Sequence, residues 1–193
     1  LAGGWPKARR RFRLYLPLRN SLIRFFVGVN AGAAFTKRPP RKTRPIVYYG
    51  TSIIHGAFSV RSGLCLTSRL GRMLDKPFVN LGFSGACKME PAMAELLAEL
   101  NPAMYLVDPF HNSTEASIQA NTEPFVETLC AARPKTPVLM LGAPHFTNAW
   151  ILPDLAKCEE AKTAALSSIC RRLARKHPNV AFVDGRGFYG SEE

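Results

Sequence analysis

Acidic residues are missing from the first 44 positions, which hold twelve lysines and arginines. From residue 45 to 193 each sign occurs fourteen times, so the excess of +12 belongs wholly to the N-terminal segment. A nucleic-acid partner is therefore not expected for the main body, since a neutral surface gains little from phosphate contacts. Cysteine is scarce and scattered. Residues 65, 87, 130, 158 and 170 form no CxxC pair and no His/Cys cluster at zinc-ligand spacing. Buried free thiols are the expectation, not disulfides or a metal centre. No apolar run is long enough to span a bilayer; Ser21 to Gly28 is short and carries Arg24. A starting methionine is absent too, and Tyr189 to Glu193 read as a loop. The chain is thus expected to be a piece of a longer product, and it sets no localisation. What is present, 47% hydrophobic against 21% charged residues, describes a folded domain.

Between Arg11 and Leu18 the residues alternate, with Phe12, Leu14, Leu16 and Leu18 on one side and Arg11, Arg13, Tyr15 and Pro17 on the other. That is the period of a strand with one buried face, and Phe25, Val27 and Val29 repeat it. Residues 1–38 are expected to hold the last strands of a small antiparallel unit, followed by a basic, proline-containing linker over 39–45. From Ile46 onward the pattern becomes strand–helix alternation. Strands are expected at Ile46–Tyr49, Phe78–Leu81, Met104–Val107, Val138–Leu141 and Val180–Val183, as apolar runs without alternation. Helical stripes lie between them: Leu66, Leu70, Met73 and Leu74, then Met89, Met93, Leu96, Leu97 and Leu100. Ile118, Phe125 and Leu129 mark a third stripe, and Ala165, Leu166, Ile169 and Leu173 a fourth. This order predicts an α/β fold, a three-layer α/β/α sandwich on a five-stranded parallel sheet. In such sheets ligands sit beyond the carboxyl ends of the strands.

Three loops leave those ends with chemistry on them. The first is Gly50-Thr51-Ser52-Ile53, where a serine follows a buried strand and enters a helix. Its hydroxyl can stand at the sheet edge while backbone N–H groups face a developing oxyanion. The second, Asn80-Leu81-Gly82-Phe83-Ser84-Gly85, offers the Gly85 N–H to a closely approaching substrate. The third, Asp108-Pro109-Phe110-His111-Asn112, puts a side-chain amide donor on the same edge. Ser52, Gly85 and Asn112 make one nucleophile and three donors, counting the N–H of Ser52 itself. Each donor can contribute roughly 3 kcal/mol in the transition state of acyl transfer.

These three blocks, in this order, resemble those of the SGNH, or GDSL-type, hydrolases. Thr51 stands where aspartate is commoner, and Asp108 to Asn112 is a variant of the usual third block. The resemblance runs from about Arg44 to the end and implies a flavodoxin-like fold with Ser52 as nucleophile and Gly85 and Asn112 completing the oxyanion hole. It implies hydrolysis of carboxylic esters without a metal or organic cofactor. Arg13-Leu14-Tyr15-Leu16-Pro17-Leu18 resembles a subgroup with an N-terminal β-sandwich, which points to a small ester or an acylated, plausibly acetylated, carbohydrate as substrate.

The family's last block, Asp-x-x-His after the fifth strand, has no counterpart there: Val183-Asp184-Gly185 is followed by Arg186 and Gly187. Without a base a serine hydroxyl stays protonated and is a poor nucleophile. Truncation before that block is the expectation. His55 is expected to pack near the nucleophile turn and His177 to sit at a helix end on the wrong edge. His111 and His145 follow strands on the productive edge, and a substrate contact suits them better than the role of base. Ser84 in Gly82-Phe83-Ser84-Gly85-Ala86 approaches the G-x-S-x-G elbow, but no oxyanion motif of the HGGG type precedes it. Two other classes compete: a binding protein that kept the fold and lost catalysis, and a basic arm docking the domain on a polyanion.

Overall fold

The computed structural model describes residues 8–144 and 146–188. All five expected strands form: β1 (Ile46–Gly50), β2 (Phe78–Gly82), β3 (Met104–Asp108), β4 (Val138–Leu141) and β5 (Val180–Val183). They lie parallel in the order β2-β1-β3-β4-β5. The register sets Gly50 opposite Gly82 on one side and Asp108 on the other. Three strands therefore end level, and the three motif loops leave one edge side by side with that of Ser52 in the middle. Parallel strands need crossovers, and these are α1 (Ser52–His55) with α2 (Leu66–Met73), α3 (Pro91–Glu99), α4 (Glu115–Ala132) and α5 (Pro153–Lys176).

One core holds α3, α4 and α5 to the sheet. Val47, Tyr49, Tyr105, Val107, Val138 and Met140 alternate along their strands and point to one face, where Leu97, Phe125, Leu129, Leu166 and Leu173 meet them. Each such side chain contributes about 1.5–3 kcal/mol when fully buried. On the opposite face α1 and α2 lie against β1 and β2. Met104, Leu106, Leu139 and Leu141 are only half-buried there. The unbroken apolar runs thus read correctly as buried strands, but cover is uneven between the two faces. Directly after the third motif, Thr114 and Ser117 cap α4 reciprocally, at 2.9 and 3.1 Å, which fixes where that turn must end.

The N-terminal expectation fails in its local detail. Residues 8–45 form no strand or helix, and neither 11–18 nor 25–29 pairs with another segment among the described residues. A strand exists only by its ladder, and alternation without a partner backbone leaves an extended chain. Phe12, Leu14 and Leu16 are 70%, 63% and 52% exposed. The contacts come instead from Tyr15 and Leu18, one from each supposed side. Arg72 donates to the Tyr15 hydroxyl at 2.8 Å, a Cβ on Gly63 would touch the Tyr15 ring, and a His55–Leu18 carbonyl bond of 2.6 Å ties the segment to α1.

Candidate active site

Ser52 opens α1, two residues past the strand end. The turn is too tight for a side chain at Gly50, where a Cβ would overlap Ile54. Thr51, fully buried, caps the turn by accepting the Ile53 N–H at 3.3 Å. From the neighbouring strand, the Asn80 amide donates to the Ile54 carbonyl at 2.8 Å and to Thr67 Oγ1 at 2.9 Å. Its oxygen accepts the Gly82 N–H at 3.0 Å. A Cβ on Gly82 would overlap the backbone of His55. The Asn-Leu-Gly of the second motif is therefore a clamp on the nucleophile turn. Among the described residues the Ser52 hydroxyl makes no hydrogen bond.

Gly85 has φ +73°, with nothing within 4 Å of where a Cβ would lie. Conformation, not space, calls for glycine here. Asn112 closes a single 3-10 turn over Phe110–Asn112. Its Oδ1 accepts the Cys87 N–H at 3.3 Å, so the amide oxygen is held and the NH2 group is turned the other way. This bond joins the second motif to the third. Cys87 was invisible as a contributor because the bond to Asn112 comes from its backbone; the thiol is buried, donates to the Asp108 carbonyl at 3.7 Å, and burial pushes it up to about 12. Ser84 lies exposed in the turn before Gly85.

The histidines separate. His55 is spent on the Leu18 carbonyl, and His177 pairs with Glu127 at 3.0 Å near the end of α5. His145 lies outside the described residues. An Asp-x-x-His spacing does occur once, at Asp108-Pro109-Phe110-His111, but after β3 instead of β5. It is not a dyad: Asp108 Oδ1 and His111 Nδ1 are both buried without a hydrogen-bond partner. Burial pushes the Asp108 carboxyl up to about 7, with the Phe110 N–H opposing. Burial also holds His111 below its ordinary value, Glu159 opposing and Lys162 adding to the shift. The ring stacks 4.9 Å from Phe146 and edge-on to Phe110 at 5.6 Å. Glu159 and Lys162, both nearly fully buried on α5, were not predicted. Glu159 accepts the Phe146 N–H at 2.8 Å, and Lys162 Nζ sits 4.3 Å over the Phe110 ring. Their helical spacing resembles any solvated face, so the sequence carried no signal for them. No group of His, Cys, Asp and Glu suited to a metal ion occurs among the described residues.

Residues 43–193 match the GDSL-like lipase/acylhydrolase family. The chain belongs to that family. Among solved structures, a Bacteroides ovatus protein described as a GDSL-like lipase is 29% identical with a TM-score of 0.74, over 78% of this chain and 45% of that one. A salicylyl-acyltransferase from a tetracycline biosynthetic pathway is 19% identical, with a TM-score of 0.68 over 81% and 47%. A family two carbohydrate esterase from Clostridium thermocellum, in complex with cellohexaose, is 12% identical, with a TM-score of 0.59 over 80% and 57%. This GDSL-family chain spans about half the length of these structures. No curated protein matches it. The last two likenesses concern the fold: a three-layer α/β hydrolase sheet.

Proposed function

We propose that this GDSL-family chain carries the nucleophile and oxyanion hole of a serine esterase. Ser52 Oγ attacks the ester carbonyl carbon and gives up its proton to a base. The negative oxygen that forms is held by the N–H groups of Ser52 and Gly85 and by Asn112 Nδ2. The carbon–alkoxy bond breaks, the leaving oxygen takes the proton from the base, and an acyl-Ser52 remains. Water then attacks the acyl carbon, its proton passing through the base to Ser52 Oγ as the acid departs. The observation that carries this reading is the Cys87 N–H bond to Asn112 Oδ1, because it commits the amide to presenting donors.

The base is proposed to be the histidine of the family's Asp-x-x-His block, which residues 184–193 do not contain. His111 is a poor substitute, since the atom that an acid would have to orient is buried and unpaired. The substrate class is proposed as a short acyl ester, plausibly acetyl, on a carbohydrate, by likeness to the carbohydrate esterase. Residues 1–38 are proposed to belong to an accessory β unit. The test is a fluorophosphonate reaction on a chain extended through the next Asp-x-x-His, with the adduct mapped by mass spectrometry. Label on Ser52, lost in Ser52→Ala, is expected; label on Ser84 would overturn the assignment.

A further inference from the structure

The basic segment is not spread evenly over the surface. It folds back on the edge strand β2 and forms with it an open cleft of about 370 Å³, within the range of small-ligand sites. Arg13 and Arg41 of the segment and Lys76 before β2 line it, with Tyr15, Cys65, Thr67, Ser68 and Asn80 among the other walls. Phe78, at the start of β2, is also a wall, whereas Ser52 stands beyond the far end of the adjoining strand. The cavity reaches along β2 as far as Asn80, opposite Tyr48, and Ser52, Gly85 and Asn112 are not among its walls.

Its field favours negative charge. Asp75 is the acid beside it, and Arg41 pairs with that carboxylate at 2.5 Å and with the Asp75 carbonyl at 2.7 Å. Hydrogen bonding and charge from Arg41, with further charge from Arg38 and Arg13, hold Asp75 below the usual carboxylate range. One carboxylate stands beside three lining cations, and Arg13 and Arg41, with five N–H donors each, make three hydrogen bonds between them to Tyr15 and Asp75.

We propose that this cavity binds a small oxyanion, a sulfate, phosphate or carboxylate group carried on a sugar-sized molecule, held by Arg13, Arg41 and Lys76. The proposal does not depend on the esterase reading, because its three cations take no part in that site; among the walls, Asn80 and Thr67 also hold the Ser52 turn.

Titration calorimetry on the whole chain tests it, with sodium sulfate, sodium phosphate, glucuronate, glucosamine 6-sulfate and, as neutral control, glucose. Saturable one-to-one binding of a charged ligand and none of glucose is expected. Arg13→Ala and Lys76→Ala should each weaken it about tenfold, and Arg9→Ala, which removes the same charge from outside the cavity, should leave it unchanged. Free sulfate or phosphate binding as tightly as the charged sugars would mark the group itself as the ligand; tighter binding of a sugar would add a contribution from its ring. Circular dichroism checks folding, and Arg13→Gln and Lys76→Met replace either variant that fails it. Absence of saturable binding by all four anions, or equal weakening in Arg9→Ala, overturns the proposal.

Discussion

Asn112 depends on a backbone neighbour that no motif would flag. Removing its amide in Asn112→Ala is expected to lower kcat of the base-complete enzyme about 10²- to 10³-fold with KM little changed, because the donor acts mainly on the transition state. Steady-state kinetics on a nitrophenyl ester reads this. Behind the same turn, the charge of Glu159 holds His111 up against burial. Glu159→Gln keeps an acceptor for the Phe146 N–H but removes the charge, so the His111 pKa should fall, as proton NMR titration of the ring would report. An unchanged or higher value would separate the two residues. Asp108 gives a stability test. Its folded pKa of about 7 lies above the ordinary carboxylate value, so the folded state binds the extra proton. That contribution is complete below about pH 4 and is lost as pH rises through about 7, up to roughly 4 kcal/mol before relaxation. Asp108→Asn, which mimics the protonated acid, should flatten the urea-denaturation stability profile across that window. The positions of Ser52, Gly85 and Asn112 on one edge were legible in the sequence because each follows a strand that announces itself. Cys87 and Glu159 were not, because one acts through its backbone and the other looks like surface.

The strands were easy to read and the N-terminal segment was not, for one reason. Runs such as Val138–Leu141 and Val180–Val183 announce burial whatever their partner, whereas the alternation of 11–18 announces only a possible face. Pairing partners are a tertiary fact. The glycines of the motifs also gain meaning only in the fold. Gly82→Ala would drive a methyl group into the His55 backbone, which cannot rotate away as a side chain could. A loss of about 1–3 kcal/mol is expected, with α1 displaced. Gly85→Ala meets empty space and should cost about 1–2 kcal/mol of backbone strain only, the Cβ penalty at positive φ. Thermal denaturation of the two variants checks the order: a smaller loss in Gly82→Ala than in Gly85→Ala would contradict the clamp.

Across the whole molecule, every early pairing runs through β1. It is flanked by β2 and β3, while β4 and β5 add outward from β3. During synthesis from the N-terminus, the strands that carry Ser52, Gly85 and Asn112 leave the ribosome first and can pair before β4 exists. Glu159 and Lys162, which surround His111, belong to α5 and arrive only afterwards. The edge with the three motif loops is therefore laid down before its support. A nascent chain stalled after α4 should already protect the amides of β1 and β3 from hydrogen exchange, while the turn at Phe110–Asn112 stays open until the final third of the chain has been made.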